Sequence, residues 1–81
     1  MLKQERRKEA YFHFADAIKI NPEFSEAYNY IGLLLAAQGK FDKACVFFSK
    51  ALQINPDFTK ALKNLEKNTS RLKDQEYGQG Q

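Results

Sequence analysis

Apolar residues recur every three or four positions along most of this chain, the spacing that gathers side chains on one face of a helix. In the first such stretch Ala10, Phe14, Ala17 and Ile18 form the stripe, predicting a helix from about Lys3 to Ile20. Asn21-Pro22 ends it, because Pro22 has no amide hydrogen to donate and biases Asn21 away from helical dihedrals. Ser25 is placed to cap a second helix running to about Gln38, and Gly39 supplies the left-handed residue that commonly closes a helix. A third stripe of Ala44, Phe47, Phe48, Ala51 and Leu52 carries a helix from near Asp42 to Ile54. Asn55-Pro56 then repeats the earlier stop, and Thr59 is placed to cap a fourth helix that buries Ala61, Leu62, Leu65, Thr69 and Leu72. The chain therefore reads as all-α, about four helices in antiparallel helix-turn-helix pairs. Residues 1–76 form one helical domain in this reading, and 77–81 a disordered tail.

The two stops belong to a longer repetition. Ala17 to Ala27 returns as Ala51 to Ala61, 34 residues later, with six of the eleven positions identical and three more closely exchanged. The register extends upstream, since Ala10 and Phe14 stand where Ala44 and Phe48 stand one period on. One structural unit has been copied in tandem, and copied units of this length stack as solenoids. With 81 residues the core is small, so stability depends on stacking against neighbours.

Composition narrows the chemistry. The 43% hydrophobic and 28% charged residues are those of a folded protein in water. The longest uncharged run, Ala27 to Gly39, is too short to span a bilayer, and the charged N-terminus is not followed by the apolar core of a secretory signal. A cytoplasmic location is the default expectation. The single cysteine, Cys45, cannot form an internal disulfide, and the single histidine, His13, lies on another segment. Cys45 reads as a small core residue and His13 as a helix-surface or packing residue. Glu23 and Glu26 sit at a helix start, where the dipole favours negative charge. No catalytic constellation, cofactor site or metal-ligand spacing is visible, and enzymatic activity is not expected. The net charge of +3, with a basic cluster at Arg6, Arg7 and Lys8, raises nucleic acid as a partner. It is disfavoured, because the charge is modest and the aromatic residues are spaced for the core rather than for stacking on bases.

The unit Tyr28-x2-Ile31-Gly32-x2-Leu35, Ala44-x3-Phe48, Ala51, Pro56 resembles the tetratricopeptide repeat. The resemblance spans about residues 10 to 72 and is complete from Ser25 to Pro56. Ala10, Phe14, Ala17 and Pro22 match the second half of a preceding unit. In the last helix, Glu66 replaces the close-packing glycine and reads as a polar cap that ends the array. Gly32 and Ala44 are the small residues that let two helices approach, with Phe48 and Tyr28 filling the space beyond.

What the resemblance implies is a noncatalytic protein-interaction module, in which the first helices of successive repeats line a concave groove for a peptide or protein segment. The groove-facing positions fall on Glu26, Asn29, Leu33, Ala36 and Ala37 of the second helix and on Lys60, Lys63, Lys67, Ser70 and Arg71 of the fourth. The second set is basic and favours an acidic ligand, although a row of lysines is also what the solvated face of a capping helix looks like. Some family members clamp the terminal carboxylate of chaperone tails across three first helices. Here two such helices are present, with Tyr30 where an Asn and Asn64 where an Arg would be expected, so a complete clamp is not implied. The alternative is assembly. The face of helix one around Ala10, Phe14 and Ala17 lacks the helix that would cover it, as in the end of a longer array or a unit that forms homo-oligomers, and an uncovered apolar face invites association.

Overall fold

The structure, a computed structural model, describes the backbone of residues 4–79 and the side chains of residues 6–74. Four helices follow one another: α1 (Gln4–Ile20), α2 (Ser25–Ala37), α3 (Phe41–Ile54) and α4 (Thr59–Gln79). Lys3, expected at the start of α1, lies outside the described residues. Helix α4 runs to Gln79 and so takes in residues 77–79, expected in a disordered tail, while residues 80–81 of that tail lie outside the described residues. Helix α2 is central and packs against α1, α3 and α4.

The two Asn-Pro turns are copies at the level of single hydrogen bonds. Asn21 N–H closes α1 on the Ala17 carbonyl at 2.8 Å, and Asn55 N–H closes α3 on the Ala51 carbonyl at 2.9 Å. In each turn the next bond also repeats, from Phe24 to Asn21 and from Phe58 to Asn55, both at 3.1 Å. The side chains of Asn21 and Asn55 accept from the N–H groups of Glu23 and Asp57, at 3.2 and 3.3 Å. These Asx turns orient the chain after the proline, ahead of the positions where Ser25 and Thr59 were expected to cap the next helices. Ser25 does not cap α2: the N-cap is Phe24, with no side-chain bond. Thr59 instead donates to the Asp57 carbonyl at 3.4 Å. Helix α2 thus starts without a hydroxyl cap, in a chain already turned by Asn21.

The α2–α3 turn is tighter and depends on Gly39, whose φ is +80°. With Gly39 left-handed, Lys40 N–H reaches back to the Leu35 carbonyl at 2.9 Å and Gly39 N–H to Ala36 at 3.0 Å. This paired closure satisfies two of the free carbonyls at the end of α2.

Ile31 and Leu35 of α2 and Ala44 and Phe48 of α3 form the centre of the core, with Tyr11, Phe14, Ile18, Ala36, Phe47 and Leu65 packed around them. Phe48 and Ile31 are the largest side chains sealed from water, each stabilising the fold by about 1.5–3 kcal/mol. Gly32 serves this centre in a specific way: a Cβ there would stand 2.6 Å from Phe48 Cε1 and 2.7 Å from Cδ1. Its close neighbour is thus the Phe48 ring, and the missing side chain is the space the ring occupies.

One expected core residue is not buried. Leu62 is 45% exposed. Its equivalent one period earlier, Tyr28, leans on Phe47 of the following helix, the ring centroids 6.2 Å apart, and among the described residues no helix follows α4 to do the same for Leu62. Thr69 and Leu72 are half-buried, and Glu66 faces water.

Candidate functional site

Of the clefts that flank α2, two hold most of the expected site residues. The first lies between α2 and α4 and encloses about 660 Å³. Because α2 and α4 occupy the same place in successive units, equivalent positions of both helices face it. Glu26, Asn29 and Leu33 line it from α2, and Lys60, Lys63 and Lys67 from α4. Lysines at 60, 63 and 67 are separated by three and four residues, which puts them in one row along the helix. Glu26 and Asp57 are the acidic residues of the lining, and among the described residues none of the three lysines is within ion-pair distance of a carboxylate.

Not every expected groove residue is brought there. Ala36 turns toward the core cluster, and Ala37 belongs to the second cleft. Ser70 and Arg71 are exposed on α4 outside the cleft lining. Asn29 is buried, 4% exposed, and its side-chain oxygen accepts from Asn64 Nδ2 at 2.9 Å. Asn29 therefore braces α2 against α4 and sets the width of the cleft floor. The resemblance to the tetratricopeptide repeat implied that Asn29 faces the groove but could not tell it would be paired, because its partner lies 35 positions away.

The second cleft lies between α1 and α2, encloses about 450 Å³, and is lined by Arg7, Ala10, Phe14, Tyr30, Leu33, Leu34 and Ala37. Phe14 stacks on Tyr30, centroids 4.9 Å apart and planes 11° from parallel. Ala10 and Phe14 are half-buried here, and Ala17 is half-buried outside the lining, whereas their equivalents Ala44, Phe48 and Ala51 are sealed. Arg7 Nε is buried and has no hydrogen-bond partner among the described residues. The cleft is thus apolar along its length and cationic at the end near the start of α1.

A third polar feature, absent from the sequence reading, sits between α3 and α4. Asn68 is 3% exposed and donates through Nδ2 to the Phe41 carbonyl at 2.7 Å and to Cys45 Sγ at 3.0 Å. Its Oδ1 is buried without a partner. Asn68 stands one period after buried Leu34, so the only available signal was a polar residue at a core register. Cys45 is a half-buried free thiol in this contact, and His13 is exposed on α1. Among the described residues no three His, Cys, Asp or Glu side chains gather as a metal site, and no helix is long and apolar enough to cross a membrane.

Comparison with known proteins agrees with the geometry. Residues 25–58 match the tetratricopeptide repeat family, the span of α2, α3 and the second Asn-Pro turn. No curated protein matches the chain. This segment is a tetratricopeptide-type repeat, and such repeats are noncatalytic modules that generally mediate protein–protein interaction.

Proposed function

We propose that this tetratricopeptide-type unit holds an acidic, extended segment of a partner protein in the cleft between α2 and α4. The observation that carries the reading is the row of Lys60, Lys63 and Lys67 along one wall, without carboxylate partners among the described residues. Unpaired cations in a concave surface raise the local concentration of anions and strengthen their capture over what a flat surface gives. Leu33, at 39% exposure on the opposite wall, offers an apolar contact beside that charge. Asn29 and Asn64 keep the two walls at a fixed distance, so the segment meets a preformed site with little ordering cost.

The test is titration of a fluorescein-labelled Glu-rich decapeptide into the chain and into its Lys63→Glu/Lys67→Glu variant. Reversing two charges should weaken binding at least about ten-fold, roughly 1.4 kcal/mol, and added salt should weaken the unaltered complex through screening. Equal affinity for both proteins would overturn the reading.

A second reading is favoured by a separate observation, the half-buried Ala10, Phe14 and Ala17 of α1, of which Ala10 and Phe14 line the α1–α2 cleft. In it the chain is an assembly unit that associates through the face of α1. Phe14→Asp should harm that association and spare peptide capture.

A further inference from the structure

We infer that a cleft between α1 and α3 receives a phosphotyrosine of a partner protein, its phosphate among Arg7, Lys8, Lys40 and Lys43 and its ring against Phe12. This cleft shares no lining residue with the one between α2 and α4, so the inference stands apart from the capture of an acidic segment there.

Helices α1 and α3 both pack on α2 rather than on each other, which leaves a cleft of about 850 Å³ over the last turn of α2. Three cation–aromatic pairs line it: Arg7 with Tyr11 and Lys8 with Phe12 on α1, and Lys43 with Phe47 on α3. In each pair the ring follows the cation by four residues, which sets one above the other on the same helix face, about one turn of roughly 5.4 Å apart. Helices α1 and α3 run in the same direction, since each is paired with α2 across a short turn. The cations therefore gather at one end of the cleft and the rings at the other, and Lys40 joins the cationic end.

Nothing of opposite charge lines the cleft. Glu9 and Asp42, which adjoin these cations in sequence, are exposed and outside the lining. Among the described residues none of the four cations is in an ion pair, and the buried Arg7 Nε has no hydrogen-bond partner. The backbone adds to the same sign. Helix α3 begins at Lys40 with no side-chain cap, so the positive pole of its dipole is unopposed there. The negative pole of α2 is blunted, because Lys40 N–H and Gly39 N–H already occupy the Leu35 and Ala36 carbonyls.

The aromatic end supplies the other half of the match. Tyr11 and Phe47 pack against the core, but Phe12 does not and is 64% exposed. Tyr11 meets it at 6.0 Å with the planes 87° apart, so Phe12 is braced by one neighbour and otherwise open to a ligand ring. A phosphotyrosine carries a charge of about −1.5 to −2 and three strong acceptor oxygens on the far edge of an aromatic ring, the same order of charge and apolar surface along the cleft. A phosphoserine would reach the cations and leave the rings bare. A nucleic-acid strand needs cations that track its backbone, whereas these are gathered at one end.

The probe is a fluorescein-labelled heptapeptide, Gly-Ser-Gly-phosphotyrosine-Gly-Ser-Gly, titrated by fluorescence anisotropy into the full chain at physiological salt, beside versions with plain tyrosine or phosphoserine at the centre. The phosphotyrosine peptide should bind at least about ten-fold more tightly than either. Lys40→Gln/Lys43→Gln should weaken it by about ten-fold with an unchanged circular dichroism spectrum. Phe12→Ala, at an exposed position, should weaken it several-fold and leave the phosphoserine peptide unaffected. Lys63→Glu/Lys67→Glu, in the other cleft, should leave all three peptides unchanged. Equal affinity for phosphotyrosine and phosphoserine, or indifference to Phe12→Ala, would overturn the inference. Binding lost in Lys63→Glu/Lys67→Glu would overturn it by placing the phosphate in the α2–α4 cleft. Tighter binding of a labelled oligothymidylate, lost in Lys40→Gln/Lys43→Gln, would overturn it in favour of a single-stranded nucleic acid.

Discussion

Gly32 and Gly39 show how differently one residue type can be required. At Gly39 a Cβ would meet nothing within 4 Å, but the φ of +80° is disfavoured for any L side chain. Gly39→Ala should therefore cost about 1 kcal/mol of backbone strain, read as a lower thermal midpoint. At Gly32 the backbone is ordinary helix, where alanine is intrinsically better by about 1 kcal/mol. The obstacle is the Phe48 ring, 2.6 Å from the added carbon and only 1% exposed. Overpacking costs of about 1–3 kcal/mol exceed the propensity gain, so Gly32→Ala should be net destabilising in urea titration. Because the cause is one contact, Phe48→Leu and Gly32→Ala combined should cost less than the sum of the two. Additive losses would assign Gly32 some other role.

The helices themselves were legible in the sequence because their signals are local. The three-and-four spacing, both Asn-Pro stops and the left-handed Gly39 each act within a few residues, and the helix ends they mark, from Ile20 to Thr59, fall within about one residue of where expected, whereas α4, whose far end carries no such signal, runs on to Gln79. What failed to show depends on partners far along the chain. Leu62 was expected inside because its own helix marks it as apolar, but burial there needs a following helix like the one Tyr28 has. Asn29 and Asn68 are polar by type and buried by tertiary contact. The Asx turns at Asn21 and Asn55 were readable in principle from Asn before Pro, and the serine and threonine that followed drew the capping role instead. Asn68 also offers a test at the scale of the α3–α4 pair. Its Oδ1 is unpaired, and the preceding unit uses Leu34 at the same register. The Leu34 register shows that a leucine fits this place, and the buried unpaired oxygen costs about 1–3 kcal/mol, more than the net of one neutral hydrogen bond, so Asn68→Leu should raise the urea midpoint, by about 1 kcal/mol in stability, with an unchanged slope. A lowered midpoint would mean that the bonds to Phe41 and Cys45 outweigh the buried oxygen.

At the scale of the whole molecule, the repeat makes the two clefts unlike each other. Between α2 and α4 equivalent faces meet, are braced by Asn29 and Asn64, and leave a lysine row open to solvent. Between α1 and α2 lies an apolar trough with a cation at one end. The charge on the first cleft was readable from the spacing of Lys60, Lys63 and Lys67, whereas its floor was not, because the Asn pair spans two units. The central claim is that the α2–α4 cleft takes an acidic segment, and amide chemical-shift mapping tests it most directly. Titrating the Glu-rich decapeptide into the isotope-labelled chain at physiological salt should move the resonances of Glu26, Leu33, Lys60, Lys63 and Lys67 together, saturating with one affinity. Shifts confined to Arg6, Arg7 and Lys8, or small changes scattered over every lysine, would contradict it.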